Sequence, residues 1–136
     1  MNKILITGSS GFVGQNLVPY LVKKEHYIDT LSLRKEDWQN SIPTTTEVII
    51  HLAGKAHDTA NTSSADEYFR VNRDLTIELF NHFIKSDAKD FFYFSSVKAV
   101  ADTVEGVLKE DVIPNPYTPY GKSKQEAEQY LLKASL

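Results

Sequence analysis

Tyr120 and Lys124 are the two residues whose types and spacing most directly suggest chemistry. They lie four residues apart in the run YGKSK, residues 120–124, and at that spacing two side chains share one face of a helix. A phenol ordinarily ionises near pH 10, and a neighbouring ammonium favours its phenolate form. Such a pair could exchange a proton with a hydroxyl or carbonyl while hydride moves to or from a nicotinamide. Because the same spacing also occurs on solvated helices, the pair alone leaves both interpretations open.

A glycine-rich segment, TGSSGFVG at residues 7–14, carries the second chemical signal. Gly8 would allow a tight turn out of a strand, Gly11 would let backbone approach a pyrophosphate, and Gly14 would let a helix pack against the sheet. The free N–H groups at the start of that helix favour phosphate. A glycine turn without a ligand is the alternative, and a P-loop is excluded because no Gly-Lys-Ser/Thr follows. The predicted cofactor contacts here are Gly8, Ser10, Gly11, Phe12, Val13 and Gly14.

Alternating strands and helices must position these groups. The hydrophobic pattern predicts strands at Lys3–Thr7, Tyr27–Leu33, Glu47–Leu52 and Asp90–Ser95, and helices at Phe12–Lys24, Ser64–Lys85 and Tyr117–Ala134, the last opened by Pro116. This alternation predicts an α/β fold with a doubly wound parallel sheet and right-handed crossovers, in the strand order second, first, third, fourth. Residues 34–46 are too few for a strand and a helix, so one strand of the usual Rossmann sheet is expected to be abbreviated or missing.

Size and composition set the remaining limits. The chain has 136 residues, 41% of them hydrophobic, with a net charge of −3 and no cysteine. We expect one dinucleotide-binding domain over residues 1–136, no thiolate chemistry, and no global attraction to nucleic acid. No apolar run approaches the roughly 18 residues of a membrane helix, and no His or carboxylate spacing indicates a metal site. A cytoplasmic location is the expectation.

Five segments, taken in order, make the chain similar to a known family. They are TGSSGFVG, IIHLAG, VNRDLT, FFYFSSVK and PYTPYGKSKQEAE. Together they resemble the extended branch of the short-chain dehydrogenase/reductase family, the NAD(P)-dependent epimerases, dehydratases and ketoreductases of nucleotide sugars. The resemblance implies a Rossmann-type fold. Since family members are longer, the chain resembles their N-terminal part, without their C-terminal strands and substrate domain.

The resemblance also implies a catalytic set. Tyr120 would be the acid/base, Lys124 would hold the cofactor ribose and favour the phenolate, and Ser96 would orient the reacting oxygen, with Ser95 as its alternative. A serine can also merely satisfy backbone groups at the strand end, a role expected for Ser95. The resemblance therefore implies a Ser-Tyr-Lys site.

The implied reaction is 4-epimerisation or 4-keto reduction of a UDP- or dTDP-hexose. A dehydratase is disfavoured, because Val97 and Lys98 occupy the places where family dehydratases carry an Asp-Glu pair. A non-enzymatic NADP-binding regulatory module is the alternative function, although such relatives have usually lost the catalytic tyrosine or lysine.

Further cofactor contacts are implied at Leu52, Ala53, Gly54 and Asn72, whereas His51 is interpreted as a packed strand residue. NAD enzymes usually carry an acid roughly 20 residues past the glycines. This chain has LSLR at residues 31–34 instead, and Ser32 with Arg34 could hold a 2′-phosphate. NADP is therefore favoured over NAD, with Arg34 stacked on adenine or free in solvent as the alternative.

Two apolar rows on the helix 64–85 suggest a contact between subunits. One row runs through Tyr68, Val71, Leu75 and Leu79, and the other through Phe69, Ile77, Phe80 and Ile84. One row can cover the sheet, and the family commonly pairs this helix and the helix 117–134 across a homodimer. A single broad buried face is the alternative.

Overall fold

Four short parallel strands form the sheet of the protein, whose computed structural model describes residues 1–56 and 64–135. The strands are β1 (Lys3–Thr7), β2 (Tyr27–Leu31), β3 (Val48–His51) and β4 (Asp90–Tyr93). Their order is β2-β1-β3-β4, and every neighbouring pair is parallel. The predicted strand order and fold class are confirmed, and β2, β3 and β4 end one or two residues earlier than predicted.

The described chain divides into two compact units. The first comprises Met1–Gly54 and Glu78–Phe94, and the second comprises Lys55–Ile77 and Ser95–Leu136. The sheet and the glycine-rich segment belong to the first unit. The segments that carry Ser96 and Tyr120 belong to the second.

An aliphatic cluster anchors the first unit. Buried Ile4 and Ile6 of β1 pack with Val48 and Ile50 of β3, and Leu17, Val18 and Leu21 of helix α1 (Phe12–Lys23) cover them. Full burial of such a side chain contributes about 1.5–3 kcal/mol. Because β1 and β3 are central strands, almost every residue in them is buried, as is typical of parallel sheets.

The connection between β2 and β3 is short. In this fully described stretch a single 3₁₀ turn, Trp38–Ser41, stands where a strand and helix would otherwise be, and the Trp38 side chain is buried. The predicted loss of a strand from the sheet is confirmed.

A continuous helical stretch precedes β4. It consists of α2 (Ala65–Tyr68), a π-helical segment (Phe69–Asp74) and α3 (Leu75–Ile84). Its N-terminus is capped by Ser64, whose hydroxyl accepts the Glu67 N–H. The predicted helix is present, but the predicted apolar rows assumed one α-helical period throughout. A π turn bonds residues five apart and rotates the faces, so Asn72 and Thr76 are buried while Ile84 is 53% exposed.

Helix α4 (Pro119–Ala134) closes the described chain. It begins at Pro119, not at Tyr117, so the prediction that Pro116 opens it was wrong. The Thr118 hydroxyl accepts the Gly121 N–H at 3.1 Å, and proline at the first helical position has no N–H that needs a partner. The Thr118 cap therefore fixes the start of the helix at Pro119.

Candidate functional site

The glycine-rich segment turns sharply from β1 into α1. Gly8 has φ +71°, and a Cβ there would lie 2.5–2.7 Å from backbone atoms of Leu52 and Ala53. Only glycine combines that left-handed backbone with so close an approach. The predicted role of Gly8 in a tight turn is thus extended, because the glycine also lets the segment after β3 lie against the loop.

The other two glycines of the motif differ in what surrounds them. A Cβ at Gly14 would lie 2.5–2.6 Å from atoms of Gly8 and Ser9, so this glycine lets α1 approach the loop itself, where packing against the sheet had been predicted. A Cβ at Gly11 would meet its nearest neighbour, the Gly8 oxygen, at an ordinary 3.5 Å. The fold of the described residues therefore gives no steric reason for glycine at position 11.

A buried polar junction holds the segment after β3 beside this loop. The Thr7 hydroxyl accepts the N–H groups of Leu52 and Ala53 at 3.2 and 3.1 Å and lies 2.6 Å from Nδ1 of His51. The hydroxyl thus joins the end of β1 to the last residue of β3 and to the backbone that follows it. His51, 1% exposed, is the packed strand residue that the sequence indicated.

Ser32 and Arg34 follow β2, and both are exposed. The Arg34 N–H donates to the Ser32 hydroxyl at 3.4 Å. The two residues therefore form a local turn with the guanidinium in solvent, in the first unit with the glycine loop.

In the second unit, Ser96 begins a 3₁₀ turn (Val97–Ala99). Its hydroxyl accepts the Lys98 N–H at 3.1 Å, so the local backbone contact that the sequence assigned to Ser95 belongs to Ser96. This bond uses a lone pair and leaves the hydroxyl hydrogen available to donate. A Cβ at Gly121 would overlap the Lys98 main-chain oxygen, so the Ser96 turn and the Tyr120 turn of α4 are in close contact.

Tyr120 and Lys124 lie on α4 with different surroundings. The Tyr120 ring meets Tyr68 edge-on, at 6.2 Å between centroids and 79° between planes, and it is only partly buried. Lys124 is 6% exposed. Burial lowers the pKa of the Lys124 ammonium from 10.5 to about 8, and the charge of Glu128 opposes that change.

Asn72 lies in the π-helical segment and joins two elements of the second unit. Its amide accepts the Lys55 N–H at 2.7 Å and donates to the Lys55 oxygen at 3.1 Å and the Ser123 hydroxyl at 3.2 Å. Ser123 in turn donates to the Tyr120 oxygen at 2.7 Å. The sequence predicted Asn72 as a cofactor contact. In the structure its side chain links the backbone after Gly54 to the turn that carries Tyr120.

Sequence reasoning missed three residues that support Tyr120. Tyr68 was interpreted only as part of an apolar row, and no role was predicted for Ser123 or Asp102. Ser123 gave no signal, because its burial and its bonds to Asn72 and Tyr120 are set by packing. Tyr68 and Asp102 gave no signal, because they are 52 and 18 residues from Tyr120.

The described residues include neither a metal-binding cluster nor a membrane-spanning helix. Within residues 1–56 and 64–135, no three His, Asp or Glu side chains are grouped to hold a metal ion. None of the helices in that part of the chain is long and apolar enough to cross a membrane.

A parallel β2-β1-β3-β4 sheet with a glycine turn after its first strand defines the class of dinucleotide-binding α/β proteins. Comparison with known proteins narrows the class. The chain belongs to the NAD dependent epimerase/dehydratase family, whose model matches residues 4–135.

Individual relatives agree with this assignment. A UDP-glucose 4-epimerase of Vibrio cholerae is 33% identical, over 95% of this chain and 46% of that enzyme. A GDP-6-deoxy-D-mannose reductase of Pseudomonas aeruginosa is 27% identical, over 96% of this chain and 46% of that enzyme. The structure of MoeE5 in complex with UDP-glucuronic acid and NAD superposes with a TM-score of 0.82 at 26% identity, covering 96% of this chain and 48% of MoeE5. The chain thus spans just under half the length of each.

Proposed function

We propose that the chain supplies the cofactor-binding and proton-transfer groups of an NAD(P)-dependent enzyme acting on a nucleotide sugar. The observation that carries this proposal lies in the second unit. Tyr120 shares α4 with the buried ammonium of Lys124, and the Ser96 turn packs against the same helix. Family membership and the named ligands of MoeE5, a UDP-sugar and NAD, support the substrate class and the cofactor.

The glycine loop suits a dinucleotide. Gly11 is the N-cap of α1, and no side chain among the described residues caps that helix. The N–H groups of its first turn are therefore available to pyrophosphate, as expected of the predicted contacts Ser10, Phe12 and Val13. With no Cβ at Gly11, phosphate oxygens can lie against backbone, and Ala53 and Gly54 would line the adjoining wall.

The chemistry divides among three residues. When bound, a nicotinamide would supply the hydride acceptor or donor. Tyr120 takes the proton from, or returns it to, the sugar oxygen. Lys124, mainly protonated at neutral pH with a pKa of about 8, holds the ribose through its ammonium group. Ser96 donates its free hydroxyl hydrogen to the reacting oxygen.

The proposed reaction is 4-epimerisation or 4-keto reduction of a UDP- or dTDP-hexose. An epimerase returns its hydride to the sugar and regenerates the cofactor, whereas a reductase consumes it. Val97 and Lys98 follow Ser96 with no carboxylate, in the places where the resemblance implies an Asp-Glu pair for a dehydratase, so elimination of water is disfavoured. Product analysis distinguishes the two remaining reactions.

The exposed pair Ser32 and Arg34 supports NADP as the preferred cofactor. An arginine binds phosphate through charge-assisted hydrogen bonds, whereas the ribose hydroxyls of NAD are usually held by a carboxylate. Neither Ser32 nor Arg34 is committed to a buried structural contact, so both remain free to serve the cofactor.

Replacement of Tyr120 tests the proposed chemistry. Tyr120→Phe keeps the ring that packs on Tyr68 but removes the proton carrier, so turnover of a UDP- or dTDP-hexose should fall roughly 10²- to 10⁴-fold with cofactor affinity little changed. Steady-state turnover is measured on the full-length enzyme, with chromatography to separate epimer from reduced product. Tyr20→Phe, on an exposed tyrosine, is the matched control. A Tyr120→Phe enzyme as fast as the unmodified one would contradict the mechanism and favour the binding-module alternative.

A further inference from the structure

The carboxylate of Asp102 contacts the start of the helix that carries Tyr120. It accepts the N–H groups of Tyr117 and Thr118 and the hydroxyl of Thr118, the last at 2.8 Å. These three donors occupy the residues directly before Pro119. One side chain, fifteen residues away along the chain, therefore satisfies the backbone that leads into α4.

Thr118 transmits this contact into the helix. Its hydroxyl donates to Asp102 Oδ1 and accepts the Gly121 N–H at 3.1 Å. Because the donated bond fixes the hydroxyl rotamer, the lone pair of Thr118 is held toward Gly121. The cap beside Tyr120 thus depends on the carboxylate.

The other end of Asp102 is tied to the Ser96 turn. Lys98 Nζ donates to the Asp102 main-chain oxygen at 3.3 Å, and the Lys98 N–H donates to the Ser96 hydroxyl. The Asn115 N–H also donates to the Val100 oxygen at 2.8 Å. The segment from Ser96 to Asp102 is therefore bonded both within itself and to the approach to α4.

The charge state of Asp102 fits this role. Partial burial raises the pKa of its carboxyl, but the hydrogen bonds from Tyr117 and Thr118 and the charge of Lys98 lower it further, so the net pKa lies below its ordinary value. The group is an anion at neutral pH and accepts all three hydrogen bonds as a carboxylate.

We infer that Asp102 is a positioning residue that sets the spacing between Ser96 and Tyr120. Its carboxylate acts through Tyr117 and Thr118, by binding the Ser96 turn to the first turn of α4. An effect of Asp102 on turnover rests on the proposed function. Its effect on the spacing of the two turns concerns only the second unit and does not.

The structural content is tested by the nuclear Overhauser contact between the Gly121 Hα protons and the Lys98 Hα proton, because these two residues make the close approach between the Ser96 turn and α4. Three variants of the chain are compared with the wild type: Asp102→Ala, Asp102→Asn, which keeps one acceptor oxygen, and Asp111→Asn, an exposed carboxylate of the same unit. We expect the contact in the wild type and Asp111→Asn, a weaker contact in Asp102→Asn, and none in Asp102→Ala. Unchanged amide resonances of Ala127 and Leu131 report that α4 remains folded. A contact missing from the wild type, or one that persists in Asp102→Ala, overturns the inference.

If Asp102→Ala does not fold, Asp102→Asn decides the question, and a contact of wild-type strength in it overturns the inference. The catalytic consequence is tested by measuring kcat and KM separately for the full-length enzyme and its Asp102 variants. Misplacement of a positioned group lowers kcat on the order of 10- to 100-fold while cofactor Kd stays unchanged. A wild-type enzyme that turns over no nucleotide sugar would contradict the proposed function, and the Overhauser contacts would still decide the role of Asp102.

Discussion

Lys124 places an ammonium group inside the second unit, on the same helix as Tyr120. Burial disfavours its charged form, and Glu128, one turn further along α4, compensates only in part. A lysine held this way is costly for folding, and a pKa perturbed by burial marks a candidate functional residue. Its charge is also poised to change at mildly alkaline pH.

The pH dependence of stability follows from this lysine. Its folded pKa of about 8 lies below the ordinary 10.5, so between these values the unfolded chain binds more protons than the folded one, and stability rises with pH. The cost of burying the charged ammonium is fully present below pH 8. By pH 10.5 the free energy of unfolding should have risen by on the order of 3 kcal/mol. Lys124→Met should remove this rise in denaturant titrations at pH 8 and pH 10, whereas Lys122→Met, on an exposed lysine, should retain it. Equal behaviour of the two variants would contradict the assignment.

The preference for NADP(H) over NAD(H) is also expected to depend on a single residue, Arg34. We expect tighter binding of NADP(H) than of NAD(H), and Arg34→Ala should narrow the difference about 10- to 100-fold, the value of a charged hydrogen bond. Calorimetry with both cofactors measures this, with Lys35→Ala as a neighbouring exposed cation for comparison. Tighter binding of NAD(H) by the unmodified protein would show that the preference is wrong.

At the scale of elements, the glycines in the turn between β1 and α1 differ in whether the fold requires them. Gly8 and Gly14 are required by close approaches between backbone segments, and Gly8 also by its positive φ. Gly11 is required by neither. The first and third glycines of the motif therefore serve folding, whereas no close approach within the described residues requires the middle one.

Substitutions in this turn should separate folding from binding. Gly11→Val places a branched side chain where the pyrophosphate is expected, so dinucleotide binding should vanish while the melting temperature is kept. Gly8→Ala should destabilise the fold itself by more than 1 kcal/mol, because its backbone conformation is left-handed and its Cβ meets backbone. Thermal unfolding and cofactor titration of both variants test this. Normal dinucleotide binding by folded Gly11→Val would contradict the assignment of the loop.

At the scale of the whole molecule, we propose a homodimer through the helical stretches predicted at residues 64–85 and 117–134. Ile84 on α3 is 53% exposed and Leu132 on α4 is 69% exposed, and Tyr130 also reaches the surface. Ile84→Glu and Leu132→Glu should shift the protein toward monomer in light scattering. Val107→Glu, in an exposed loop, should leave the dimer unchanged. A monomeric wild type at all accessible concentrations would exclude this assembly.

The sequence alone determined the sheet, its strand order and the loss of one strand. These features depend on local hydrophobic periodicity and on connection lengths, which can be counted along the chain. It also predicted the burial of His51, since an apolar parallel strand leaves little exposed. The ends of the elements were predicted less accurately. The helix predicted from Tyr117 begins at Pro119, because its start depends on the hydrogen bond that the Thr118 cap makes.

Only the tertiary structure decided how the residues around Tyr120 are arranged. The π-helical segment that buries Asn72, the close approach of Gly121 to Lys98, and the bonds from Asp102 to Thr118 join residues distant in sequence. The role of Ser96 as a cap and the burial of Lys124 likewise depend on neighbours that periodicity does not identify. Local patterns specify elements, whereas contacts between elements depend on packing and on the need of each buried polar group for a partner.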